Sequence, residues 1–110
     1  METPTGQPRP AETPQYQGHE VYDPEGHKVG KVTDVIFDDV TLNPRWVIVD
    51  VGRFGGPHYV PIEGSRRTED GDVVIPFDKQ TVKHAPRPNR SHVVTRDVED
   101  QVLQHYSTAA

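Results

Sequence analysis

The chain has 110 residues, no cysteine, 17 Asp/Glu against 12 Lys/Arg, and a formal net charge of −5. One small domain is the most this length supports: such a domain buries roughly 60–65 % of its unfolded surface, enough for a single core and too little for a deep substrate chamber. The absence of cysteine removes disulfides, thiolate zinc sites and a cysteine nucleophile. The negative charge disfavours nucleic acid as a partner, because phosphate binding is driven by an excess of Lys and Arg. No window reaches the ~18 consecutive apolar residues of a membrane span, and residues 1–17 lack the apolar centre of a signal peptide, so a soluble cytoplasmic protein is expected.

Residues 1–17 hold Pro4, Pro8, Pro10 and Pro14 among Thr, Gln and Glu, and are expected to form a disordered arm that cannot bury enough apolar area to offset its ordering entropy. Val21 centres a short strand over 20–23. Asp23-Pro24-Glu25-Gly26 is a turn by composition, so the strand predicted over 28–37 returns antiparallel to it. In that second strand Val29, Val35 and Phe37 share one parity and Val32 the other; a bulge near Thr33 and Asp34 restores Val32 to the common face.

A turn through Asp38, Asp39 and Thr41-Leu42-Asn43-Pro44 leads to the densest β-branched run of the chain, around 46–51. It is apolar on both parities except at Asp50, the pattern of a strand covered on both faces. Val47, Val49 and Val51 form the inward row. Trp46 and Ile48 form an outward row that needs a lid. The glycines at 52, 55 and 56 end the strand in a tight turn, where Phe54 reads equally as a displayed contact residue or an interior plug. A fourth strand is predicted over 58–62, Asp70-Gly71 marks a hairpin turn, and Val73 opens a fifth strand to 77.

Asp78 then caps a short helix at 79–84, which Pro86 ends, and residues 87–94 are an extended connector. Thr95 caps a final helix over 95–106 whose Val98, Val102, Leu103 and Tyr106 form one stripe, with 107–110 fraying. About three turns are marginal alone, so this helix must dock, and the Trp46 and Ile48 row is the surface expected to receive it, either in cis, which gives a self-sufficient monomer, or on a neighbouring copy, which gives a dimer. The fold class is therefore mainly β: a small antiparallel β-barrel of five to six strands over 18–86, followed by a short helix and a C-terminal helix.

The chemistry is sparse. The six histidines show neither an i, i+4 pair nor HExxH spacing, the serines lie in loops or the tail, and the glycine-rich turn at 52–56 opens no helix, so neither a metal, a cofactor nor a catalytic residue is expected. Asp34, Asp38, Asp39 and Asp50 would approach one another if the second and third strands pair, yet they read as solvated turn acids. Residues 79–96 carry Lys79, Lys83, Arg87, Arg90 and Arg96 and no acid, whereas residues 1–78 hold 7 Lys/Arg against 14 Asp/Glu. That basic patch on an acidic chain reads as a solvated connector or as a surface for an acidic protein or RNA.

Taken together, Val21-Tyr22-Asp23 with Gly26, Lys28-Val29-Gly30-Lys31-Val32, Pro44-Arg45-Trp46-Val47 running to Gly52-Arg53-Phe54-Gly55, Val60-Pro61-Ile62 and Ile75-Pro76-Phe77-Asp78-Lys79 with Val82-Lys83 and Ala85-Pro86 resemble the PRC-barrel family. The resemblance covers about 18–106 and is nearest the short stand-alone bacterial members. It departs from the family at Leu42, where relatives often carry glycine. The family includes the cytoplasmic barrel of the photosynthetic reaction-centre H subunit and one domain of a ribosome maturation factor, but the chain lacks the membrane helix of the first and the second domain of the other. What the resemblance implies is a non-enzymatic barrel that docks on another protein or a second copy of itself. The contact candidates are Trp46, Ile48, Phe54, His58, Tyr59, Val98, Val102 and Tyr106. An RNA or ribosome-associated factor using the basic segment is the alternative.

Overall fold

The computed structural model describes residues 16–38, 40–52, 55–88 and 94–109. Six strands, β1 (Glu20–Tyr22), β2 (Lys28–Phe37), β3 (Pro44–Asp50), β4 (Pro57–Pro61), β5 (Arg66–Arg67) and β6 (Val73–Val74), precede the helices α1 (Lys79–Lys83) and α2 (Arg96–Ala109). The strands make one sheet in the order β4-β3-β2-β1-β6-β5.

The two longest strands set its geometry. Val32 opposes Val49 and Val35 opposes Val47, with the register shifting between Val32 and Asp34, so the expected bulge at Thr33 is present. It keeps the β2 valines on the face of the β3 valines. Val60 of β4 opposes Val47, and Val73 of β6 stands beside Val21 of β1. Val21, Val32, Val47, Val49, Val60 and Val73 are each at most 1 % exposed, so β-branched side chains fill the interior. A second register shift between Ile36 and Phe37 turns Phe37 outward, against the expectation that it joins this row.

Other departures concern pairing and boundaries. β6 runs parallel to β1, so the sheet is not wholly antiparallel as expected, and it does not close into a full barrel, since β4 and β5 are its two edges and do not pair with each other. The chain after β4 passes around the far side of the sheet before it returns, and the hairpin at Asp70-Gly71 joins β6 to β5, a two-residue strand absent from the sequence reading. Tyr16 and Gln17, assigned to the disordered arm, belong to the fold. The Arg67 guanidinium lies 4.3 Å from the centre of the Tyr16 ring, and the Gln17 amide donates to the Thr33 carbonyl at 3.0 Å. The rest of the predicted arm, residues 1–15, lies outside the described residues, as does most of the connector.

Close approach fixes one glycine. A Cβ at Gly30 would run into the Asp50 carbonyl and the Val49 side chain, because β2 crosses tightly over the end of β3.

Carboxylates hold the turns and caps. The Asp38 carboxylate accepts the N–H groups of Thr41 and Val40, Asp72 that of Glu20, and Asp78 that of Thr81 as the cap of α1. These bonds favour the ionised form and hold each carboxyl below its usual range. The unfolded chain therefore takes up protons before the folded one. Their contribution to stability is complete above the unfolded value, near ~3.9, and is lost as pH falls through the depressed folded values. Thermal melts followed by circular dichroism should give a Tm insensitive to these groups between about pH 7 and 5 that drops below about pH 4. Asp78→Asn, which caps without titrating, should show a shallower acid decline, and an equal decline would exclude this origin.

Candidate functional site

Register places Trp46, Ile48 and Tyr59 on the outward face of β3 and β4, since Ile48 opposes Tyr59. The Trp46 and Tyr59 rings lie 5.3 Å apart with their planes tilted by 57°, which avoids the unfavourable face-to-face overlap of two quadrupoles. The Arg45 guanidinium sits 5.2 Å from the Trp46 ring and also pairs with Glu99 of α2. The helix is thereby drawn to this end of the sheet. Thr95 caps it, accepting the Val98 N–H as expected. Its C-terminal half reaches β4 and α1: the Tyr106 hydroxyl donates to the Tyr59 carbonyl at 2.5 Å, the Tyr106 ring packs at a tilt against Phe77 with centres 4.5 Å apart, and His105 Nε2 lies 2.8 Å from the Thr81 carbonyl.

Tyr59 also donates its N–H to the Pro86 carbonyl at 3.2 Å. Both backbone groups on the free side of this edge residue are thus satisfied by segments that follow the barrel. Burial pushes the Tyr106 phenol well above its ordinary pKa, so it stays a donor throughout the ordinary pH range. The Tyr59 hydroxyl is buried without a hydrogen-bond partner among the described residues, and burial raises its pKa as well.

The stripe therefore covers the row in cis. Trp46 and Ile48 are 2 % and 1 % exposed, Val102 and Tyr106 0 % and 4 %, all within one core cluster. Proposed as partner contacts, Trp46, Ile48, His58, Tyr59, Val102 and Tyr106 are internal to the folded chain and present no surface. Val98 is half-buried against the same core. Leu103, assigned to the stripe, turns to solvent, because 98, 102 and 106 keep i, i+4, i+8 spacing and 103 falls beside it. Phe54 lies outside the described residues.

His58 is a fastener. Its Nδ1 lies 2.8 Å from the Ala85 carbonyl and its Nε2 2.7 Å from the Gly55 carbonyl, at 1 % exposure. Both carbonyls accept, so a singly protonated ring donates to one of them and only the doubly protonated ring satisfies both. Either way the ring ties β4 to the turn before it and to the end of α1.

Exposed apolar side chains gather elsewhere, at the β2–β3 connection, where Phe37 is 39 %, Val40 89 % and Leu42 67 % exposed. Leu42 has φ 62°, the left-handed region that costs an L-residue ~1–2 kcal/mol. Asp38 organises this tip. Its Oδ1 accepts the N–H groups of Val40 and Thr41 at 2.8 and 2.9 Å, its carbonyl accepts from Leu42 at 2.9 Å, and its own N–H donates to Asn43 at 2.8 Å. By composition this stretch is only a turn. The available signal was Leu42 itself, an apolar residue at a position where the pattern favours glycine.

Of the basic residues, Lys79, Lys83, Arg87 and Arg96 are exposed, on α1, after it and at the start of α2, and Arg90 lies outside the described residues. Arg87 rests against the Gly56 turn, where a Cβ would meet its guanidinium at 3.1 Å. Among the described residues no three His, Asp or Glu side chains come together in a way that could hold a metal ion. Nor is any helix there long and apolar enough to cross a membrane.

A family model, the PRC-barrel domain, matches residues 13–100. The chain belongs to the PRC-barrel family. The matched span of this PRC-barrel takes in all six strands, α1 and the first turn of α2, while Val102 and Tyr106, which complete the cover over β4, lie beyond it. No curated protein matches the chain.

The docking of α2 can be followed through the single tryptophan. Tyr106→Phe leaves the Tyr59 carbonyl unpaired and should cost about 1–2 kcal/mol in chemical denaturation. Val102→Asp places a charge at a fully buried position and should lower Tm further and shift Trp46 emission to the red. Unchanged emission and stability in both variants would contradict this packing.

Proposed function

We propose that this PRC-barrel is a non-enzymatic, cytoplasmic docking module that binds another protein through its β2–β3 tip. The observation that carries the reading is Leu42, held in a left-handed conformation with its side chain 67 % exposed. A strained apolar residue kept in solvent, where glycine would be relaxed, points to a contact rather than to folding. Val40 and Phe37 enlarge that contact. The capped Asp38 carboxylate, ionised at neutral pH, adds a charge at its rim, so the fitting partner offers a small apolar recess beside a cationic group. The valine-filled core of the sheet leaves recognition to the surface.

Affinity capture with chemical cross-linking from the source cell tests this. Leu42→Gly relieves the backbone strain and removes the side chain; it should keep or raise Tm and yet lose the captured protein. Val40→Asp should lose it too. Equal capture by wild type and both variants would overturn the tip as the contact. Sedimentation over a range of concentrations decides whether the partner is a second copy, and RNA binding abolished by Lys83→Glu with Arg87→Glu would favour the RNA-associated reading instead.

A further inference from the structure

Three of the chain's four lysines, Lys28, Lys31 and Lys79, line one open groove of about 410 Å3. The fold brings them there from two distant segments, the start of β2 and the first residue of α1, and the rest of the lining is Val29, Gly30, Thr33 and the end of β3 from Asp50 to Gly52. All three lysines are exposed. Lys31 and Lys79 have no ion-pair partner among the described residues, and Lys28 has only a 3.4 Å approach to the half-exposed Glu20, a pair too solvated to occupy it. The groove's one carboxylate, Asp50, accepts the Gly52 N–H at 3.0 Å and so serves the turn.

We infer that this groove is the docking site for an acidic, Glu/Asp-rich segment of a partner protein. The inference deepens the docking-module reading and rests on it. Charge complementarity selects the occupant: a cationic groove on a chain of net charge −5 attracts acid locally without making the whole protein a polyanion binder. The cations are all lysine, mobile point charges that suit a run of carboxylates, whereas phosphate recognition favours the planar fork of arginine. No aromatic ring stands among the lining residues to stack a base, as grooves for single-stranded nucleic acid require.

Fluorescence anisotropy with a labelled Glu/Asp-rich peptide, run beside a single-stranded RNA of similar length and inorganic phosphate, tests the groove. The full chain should bind the peptide in preference to both, with affinity falling steeply as salt rises from about 50 to about 200 mM. Lys28→Gln with Lys31→Gln and Lys79→Gln should weaken binding at least about tenfold at an unchanged Tm, the charges being solvent-facing, while Arg96→Glu, outside the groove, should not. Undiminished binding by the triple lysine variant, an equal loss with Arg96→Glu, tighter binding of RNA or phosphate, or salt-sensitive self-association that the triple variant abolishes would each overturn the proposal. Capture of a cellular partner that survives the triple variant but not Leu42→Gly refutes the groove and leaves the docking module standing. Failure of capture by every form of the chain refutes the module.

Discussion

A sheet that ends in an open strand must satisfy that strand's outward N–H and C=O groups, and β4 meets this demand through residues that arrive after the barrel is built. Pro86 accepts from the Tyr59 N–H, and Tyr106, 47 residues after Tyr59, donates to the Tyr59 carbonyl. Because Tyr106 must reach that carbonyl, α2 must lie against β4, and its Glu99 then meets Arg45 over the Trp46 ring. The outward face of β3 is buried as a result. Its continuous apolar character follows from this arrangement: one row faces the valine interior, the other the aromatic layer beneath the helix.

Period and turn chemistry made much of this legible. The β2 bulge was forced by Val32 falling on the wrong parity, the hairpin by Asp70-Gly71, the start of α2 by Thr95, and the need for a lid by two apolar rows on one strand. A short amphipathic helix with nothing else to cover points to the lid as well, but whether it closes over its own sheet or over a neighbour's is not encoded in any periodicity. What failed were properties that no local window encodes. β5 is two arginines, whose pairing depends on β6 being placed first. The parallel β1–β6 contact depends on the whole chain between them. For the site, Trp46, Ile48, Tyr59, Val102 and Tyr106 suggest contact residues because they are large and apolar, and the same property makes them each other's cover in the folded chain. Val40 and Leu42 were passed over because they sit among turn residues, and the lysine groove because β2 and α1 are far apart in sequence.

The surviving surface features stand at opposite ends of β2. Its start carries Lys28 and Lys31, and its finish leads into the tip of Phe37, Val40 and Leu42. Ten residues of strand set them about 30 Å apart. The first residues of the strand pair with β1 and the rest with β3, the two registers meeting at Lys31, so each end is held in the sheet, and the two ends differ in chemistry, one cationic and one apolar. A partner engaging both would be held in a single orientation.

The parallel contact between β1 and β6 bears on the order in which the structure assembles. β1 through β4 form a meander of near neighbours, each strand pairing with the next, and such contacts close short loops at small entropic cost. β6 can join β1 only after that meander exists to receive it, and α2 can dock only once β4 is in place. The sheet is thus completed at its two borders by segments that leave a ribosome after the meander does. Until they arrive the nascent meander shows Trp46 and the bare edge of β4 to its surroundings, the period in which the chain is most exposed to unintended pairing with another strand.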